Sequence, residues 1–239
     1  MASPSKRLDP RNPTGMRAIE AGNVRAAQRS VDRAIADILK LIETRSVTDP
    51  AEVQRLVQTN LDAWGQVAKR LAIERVRESV RRGVVRSSTL LKALKIEPDR
   101  QTMLTLISRT IQPAHEVIAI DTQDSIAADL RQRLTRAIVE AQREGRGTIV
   151  RARIKEEIAG PRNRAGIAAS WDTMTPFTTA TTEVYKLNGI PSVTWYTERD
   201  EKVCDICRLR HGKRYRMDRI PEPHARCRCA LLPDDGGAA

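Results

Sequence analysis

The chain has 239 residues, 40% of them hydrophobic and 30% charged, and its 42 Lys and Arg against 30 Asp and Glu give a net charge of +12. That length can bury one substantial core and a smaller one, and the basic balance points to a polyanionic partner such as nucleic acid. No run of 18 apolar residues occurs and the polar start MASPSKRLDPRNPTG lacks an export signal's apolar centre, which excludes a membrane-spanning role and implies a reducing cytoplasm; aromatics at 3% leave little for base stacking.

Residues 1–15, rich in proline and basic groups, read as a flexible basic arm. From Asn23 the apolar residues Val24, Ala27, Val31, Ile35, Ile38 and Ile42 recur at three- and four-residue steps, one stripe of a helix. Asp49-Pro50-Ala51-Glu52 starts a second, because Asp49 can cap and proline suits a first turn. Its stripe of Val53, Leu56, Leu61, Trp64, Val67, Leu71, Val76 and Val80 predicts a helix of about 30 residues ending at Gly83. Lys69, Arg70, Arg77, Arg81 and Arg82 on its later turns form a basic face that phosphates could meet, although Glu74 and Glu78 dilute the charge and a solvated face is the commoner origin of such a run.

Residues 84–97, with Ser87-Ser88-Thr89, read as irregular, and a helix from Asp99 to Ile111 stops at Pro113. Asp121-Thr122 then caps a helix carrying Ile126, Leu130, Leu134 and Ile138 and ending at Gly145. Arg143, Arg146, Arg151 and Arg153 bracket that glycine as a second candidate phosphate-binding cluster. A helix from Thr148 should break at Gly160-Pro161, and the last should run from Asn163 to Leu187, closed by Asn188-Gly189. After Pro191 short alternating segments predict strands at 193–197, 213–217 and 228–232.

All four cysteines lie in this last stretch: Cys204 and Cys207, then Cys227 and Cys229 after His224. A two-residue gap lets a tight turn bring two thiolates to one ion, and thiolate with imidazole favours zinc over the oxygen-seeking magnesium or calcium. Five donors compete for four places. Cys204, Cys207 and Cys229 are three of them, with His224 or Cys227 as the fourth, while His211 reads as a turn residue before Gly212. Two disulfides would need an oxidising compartment, and four buried thiols would need a less polar setting. A module of this size buries too little surface alone, so a structural zinc ion would supply much of its stability.

Trp195, Thr197, Asp200, Val203, Cys204, Cys207, Gly212, Pro221, His224, Cys227, Arg228 and Cys229 together resemble the C-terminal motif of the phage Mu F-like family. These are minor head, or head morphogenesis, proteins of tailed phages, and the minor capsid protein of phage SPP1 is among them. Upstream, Arg164-Ala165, an alanine-rich helix, Tyr185, Gly189-Ile190 and Trp195 follow the family's order, with Ser170-Trp171-Asp172 in place of its usual Arg-Thr-Glu. The resemblance covers roughly the last 70 residues closely and does not reach residues 1–120.

The expected architecture is mainly α with a small C-terminal α+β module: a long-helix bundle followed by a short antiparallel sheet clipped by zinc. Its expected divisions are an arm at 1–15, a helical region at 16–120, a Mu F-like domain at 121–233 (helices 121–188, zinc-binding sheet 193–233) and a tail at 234–239. The resemblance implies a non-enzymatic virion protein in the capsid interior, assembled in the host cytoplasm. It would contact portal protein, major capsid or scaffold protein, and double-stranded DNA without sequence preference. The alternative is a freestanding zinc-ribbon DNA-binding protein, either a regulator or a nuclease accessory factor, but no segment stands out as a base-reading helix. A toxin-like transferase or nuclease is the weakest reading, for no spare domain could hold it. Deaminase, zincin and phosphate-loop patterns are absent from the sequence.

Overall fold

Val31, Ile35 and Ile38 of the first apolar stripe and Val53, Leu61, Val76 and Val80 of the second are buried where the sequence spaces them, and the helices they define extend further than their punctuation suggests. The computed structural model describes residues 12–144, 147–197, 203–224 and 227–234. Among the described residues are six helices, α1 Arg17–Thr44, α2 Pro50–Ala93, α3 Arg100–Thr110, α4 Gln112–Arg143, α5 Gly147–Leu187 and α6 Asp205–Arg210. The three strands are β1 Ser192–Tyr196, β2 Arg214–Arg216 and β3 Ala230–Asp234, in an antiparallel sheet of order β2-β1-β3. Mainly α with a small C-terminal sheet is therefore the architecture.

Caps set several boundaries. Asp49 accepts from the backbone N–H groups of Ala51 and Glu52 and opens α2, and Asp99 does the same for α3 through Gln101 and Thr102. α1, α2 and α5 each end on a left-handed residue, Ser46, Lys95 and Gly189, followed by an apolar one. The N–H groups of those apolar residues, Val47, Ile96 and Ile190, close back on the carbonyls of Ile42, Leu91 and Tyr185.

Three helix boundaries differ from expectation. α2 does not stop at Gly83 but runs through Ser87-Ser88-Thr89, whose hydroxyls donate to the carbonyls of Gly83, Val84 and Val85 one turn back. Pro113 begins α4 rather than merely ending α3, since in a first turn its missing N–H has no carbonyl to meet. Asp121 and Thr122 are interior, with the Thr122 hydroxyl bonded to the Ile118 carbonyl. α5 continues through Gly160-Pro161 and Pro176. Each proline forfeits a ladder bond at about 3 kcal/mol in a helix interior, but burial of Ile158, Ala165 and Ala168 around one and Met174, Phe177 and Ala180 around the other holds the helix. Of the arm expected at 1–15, residues 12–15 are described. Residues 12–15 form a turn in which Asn12 accepts from Gly15 and Arg17, and the Arg86 guanidinium donates to the Pro13 carbonyl. Residues 1–11 and 235–239 lie outside the described residues.

The chain forms two compact units that cut across the serial divisions at 16–120 and 121–233, because α1, α2, α4 and α5 each contribute to both. One unit comprises Gly22–Glu74 and Val117–Ala169. Its core is Val31, Ile35, Ile38, Val53, Val57, Leu61, Ile126, Leu130, Leu134 and Ile138. The other holds the residues up to Ala21, Arg75–Glu116 and Ser170–Ala239. There Val80, Val84, Leu91, Ile107, Val184 and Tyr185 pack with Val193, Trp195 and Leu231 of the sheet. No helix among the described residues is long and apolar enough to cross a membrane.

Within that second unit α2 and α5 meet at Gly83, where an added Cβ would lie 2.6 Å from the Phe177 carbonyl oxygen and 2.9 Å from the Ala180 Cβ. Gly83→Ala should therefore destabilise by about 1–3 kcal/mol through overpacking, against the usual helix-propensity gain. Gly22→Ala in α1, where an added Cβ meets nothing within 4 Å, should instead stabilise by about 0.5–1 kcal/mol. Denaturant unfolding checks both, and a stabilised Gly83→Ala would mean that α2 and α5 stand further apart.

Candidate metal centre

The strand order explains how two distant cysteine pairs converge. β1 pairs antiparallel with β3 so that Tyr196, its last residue, lies opposite Ala230, the first of β3. Cys204 and Cys207 follow β1 while Cys227 and Cys229 precede β3, so both pairs fall at the same end of the sheet.

Local hydrogen bonds then fix each pair. Cys204 is the N-cap of α6 and its sulfur accepts from the Cys207 N–H at 3.4 Å, so the anticipated tight turn is the first turn of a short helix. The Thr197 hydroxyl donates to the Cys207 carbonyl at 3.1 Å, tying that helix to the end of β1. On the other side the Cys227 N–H bonds the His224 carbonyl at 3.0 Å. His224 Nε2 lies 3.0 Å from Cys204 Sγ and 2.9 Å from Cys207 Sγ, and the sulfurs of Cys207 and Cys227 are 3.8 Å apart.

The donors form two overlapping groups, Cys204 with Cys207 and His224, and Cys207 with Cys227 and Cys229, each within 4.8 Å. Cys207 belongs to both. A tetrahedral ion with metal–sulfur arms near 2.3 Å has sulfur–sulfur edges of about 3.8 Å, the Cys207–Cys227 separation, whereas a disulfide requires about 2 Å. All four cysteines are free thiols. The donor set thus fits a metal ion by chemistry and by spacing.

The electrostatics agree. Hydrogen bonds from Cys207 and then Cys229 lower the Cys227 thiol despite its burial. The same contacts with Cys207 and Cys227, and then burial, push Cys229 up. Packed thiols accept one negative charge and resist the next, a repulsion that a dication would relieve. Cys207, Cys227 and Cys229 are buried and Cys204 is half-buried.

Residues around the centre brace it. Arg210 of α6 lies over the Trp195 ring at 4.9 Å, and the fully buried Tyr185 donates its hydroxyl to the Leu231 carbonyl of β3 at 3.1 Å. His211 is not a ligand here. Its Nδ1 accepts from the Thr197 N–H and its ring packs on Tyr196, a bracing role that spacing alone does not signal. Half-buried His115 lies in the first turns of α4, and desolvation lowers its imidazole below the usual range.

The expected phosphate contacts are not gathered in the same way. Lys69 pairs with Asp124, Arg77 with Glu116, and Arg81 and Arg82 share Glu78, while Arg70 and Arg143 are exposed. Lys69, Arg70 and Arg143 belong to one compact unit and Arg77, Arg81 and Arg82 to the other. Arg151 and Arg153 lie in the first turns of α5, and Arg146 is outside the described residues. Compared with protein-family models, curated proteins and solved structures, the chain matches none.

Proposed function

We propose that the centre holds one zinc ion in a structural role and that the protein is a minor head protein of a tailed phage. In this reading it lies in the capsid interior, contacts portal and capsid or scaffold protein, and touches packaged DNA without reading its sequence. The observation that carries it is the centre itself: Cys-x-x-Cys and His-x-x-Cys-Arg-Cys, the motifs that resemble the Mu F-like family, supply five protein donors at one end of a three-stranded sheet.

Soft sulfur donors with one imidazole favour zinc among common dications. Any four of Cys204, Cys207, His224, Cys227 and Cys229 would complete a tetrahedron, which leaves no place for a reactive water and argues for a clip rather than a catalyst. The exposed ion pairs of Arg77, Arg81 and Arg82 suit phosphate contact, because such pairs are worth at most about 1 kcal/mol and a phosphate can displace the carboxylate.

The test is co-expression with the portal and major capsid proteins of the same genome. Purified particles are expected to contain the wild-type chain, and to lose it in a variant lacking the metal. Absence of the wild-type chain from the particles, with no binding to portal or capsid protein in solution, would falsify the assembly role.

A further inference from the structure

The unit made of Gly22–Glu74 and Val117–Ala169 bears a groove of about 560 Å³ between α1 and α2. Trp64, Val67 and Leu71 of α2 line it together with Ala26 and Ala34 of α1. Earlier in α2 the apolar stripe is fully covered at Val53, Val57 and Leu61, but Val67 and Leu71 are each 41% exposed. The floor offers no polar ligand, since Trp64 Nε1 already donates to Ser30 Oγ at 2.8 Å.

The charge at its rim is one-sided. Arg29 and Arg33, one turn apart on α1, line the groove and are exposed. Neither has an ion-pair partner among the described residues, although in the same unit Arg162 is paired with Asp32, Arg131 with Asp62 and Lys69 with Asp124. Asn60 and Ala63 on the α2 side are uncharged. Asp37 is the one acidic residue of the lining.

We propose that this groove is a docking site for one amphipathic helix of a partner protein, with its apolar stripe on Val67, Leu71 and Trp64 and acidic side chains along one flank facing Arg29 and Arg33. Anchors at i, i+3, i+4 and i+7 suit an apolar channel between two helices, and unpaired guanidinium groups at its edge favour a carboxylate-bearing flank. Duplex DNA would set its phosphates against an apolar floor. A second copy would bring to this rim the basic surface of a chain whose net charge is +12. The site is remote in sequence from the metal ligands and does not depend on them.

The test titrates the full-length protein calorimetrically with a helical Leu/Glu peptide, Leu at i, i+3, i+4 and i+7 and Glu on one flank, and with its Leu/Lys counterpart. The acidic peptide is expected to bind with Kd on the order of 10 μM and the basic one at least about tenfold more weakly. Val67→Lys and Leu71→Lys, at positions exposed enough to leave the fold intact, should each weaken the acidic peptide about tenfold. Arg29→Glu with Arg33→Glu should reverse the preference. Equal binding of the two peptides, or binding of neither, overturns the proposal. A concentration-dependent dimer abolished by Val67→Lys would assign the groove to a second copy and overturn it as well.

Discussion

Cys207→Ser is expected to abolish metal binding, whereas Cys229→Ser should retain it. Cys207 alone belongs to both donor groups and is 2% exposed. Without it neither group keeps three members. Without Cys229 the Cys204, Cys207, His224 and Cys227 set remains. Structural zinc sites contribute about 10–16 kcal/mol of apparent binding free energy, so losing the shared ligand should remove several kcal/mol from a sheet whose strands have only three to five residues. Metal analysis should find about one zinc per chain in the wild type and in Cys229→Ser, and little in Cys207→Ser. Limited proteolysis of Cys207→Ser should begin within 192–234, while helical circular dichroism stays nearly unchanged because α1 to α5 carry most of the helical signal. Equal zinc in the two variants would sink the assignment of Cys207 as the shared ligand, and a wild type without zinc would sink the site.

The donor cluster was readable in the sequence because its two halves are local motifs: the Cys-x-x-Cys turn and the His-x-x-Cys turn each close by a hydrogen bond within three residues. The three strands were placed within about two residues for a similar reason, since period-two patterning between Pro191 and Pro233 contrasts with the helical spacing before it. Helix ends were less readable where a local signal competed with packing. Ser87-Ser88-Thr89 resembles a loop until one sees that Ser87 and Ser88 are buried and bonded back along the helix. Gly160-Pro161 resembles a stop until the buried faces on either side of it are known. The interleaving of the two units had no local signature, because α1, α2, α4 and α5 each pass from one unit to the other without a break in the helix. Phosphate contacts were the least readable, for a basic run has the same sequence whether its partner is a neighbouring carboxylate, as for Arg81 and Arg82 on Glu78, or a nucleic acid.

Asp172→Ala is expected to destabilise the unit that holds the sheet by about 3–5 kcal/mol, because it strands a buried guanidinium. Arg75 of α2 donates to Asp172 of α5 at 3.0 Å, with only 12% and 4% of the two side chains exposed. That contact is made by Nη2 while the buried Arg75 Nε has no hydrogen-bond partner, so the carboxylate is the guanidinium's main compensation in the interior. Replacing both, with Arg75→Met and Asp172→Leu, should recover most of the loss, since a buried ion pair is commonly exchanged for apolar residues of similar volume at little net cost. The pH dependence tests the same pair from the other side. Burial, only partly offset by Arg75, raises the Asp172 carboxyl above its usual range. The folded protein then holds that proton more tightly than the unfolded chain. Its contribution to stability is fully present below the unfolded value and is lost as pH rises through the folded one. Denaturant midpoints measured from acid towards neutral pH should therefore show a declining component in the wild type that the double variant lacks. If Asp172→Ala cost no more than an exposed substitution, or if the double variant were as unstable as the single one, the pair would not be buried as described and α2 and α5 would not meet through it.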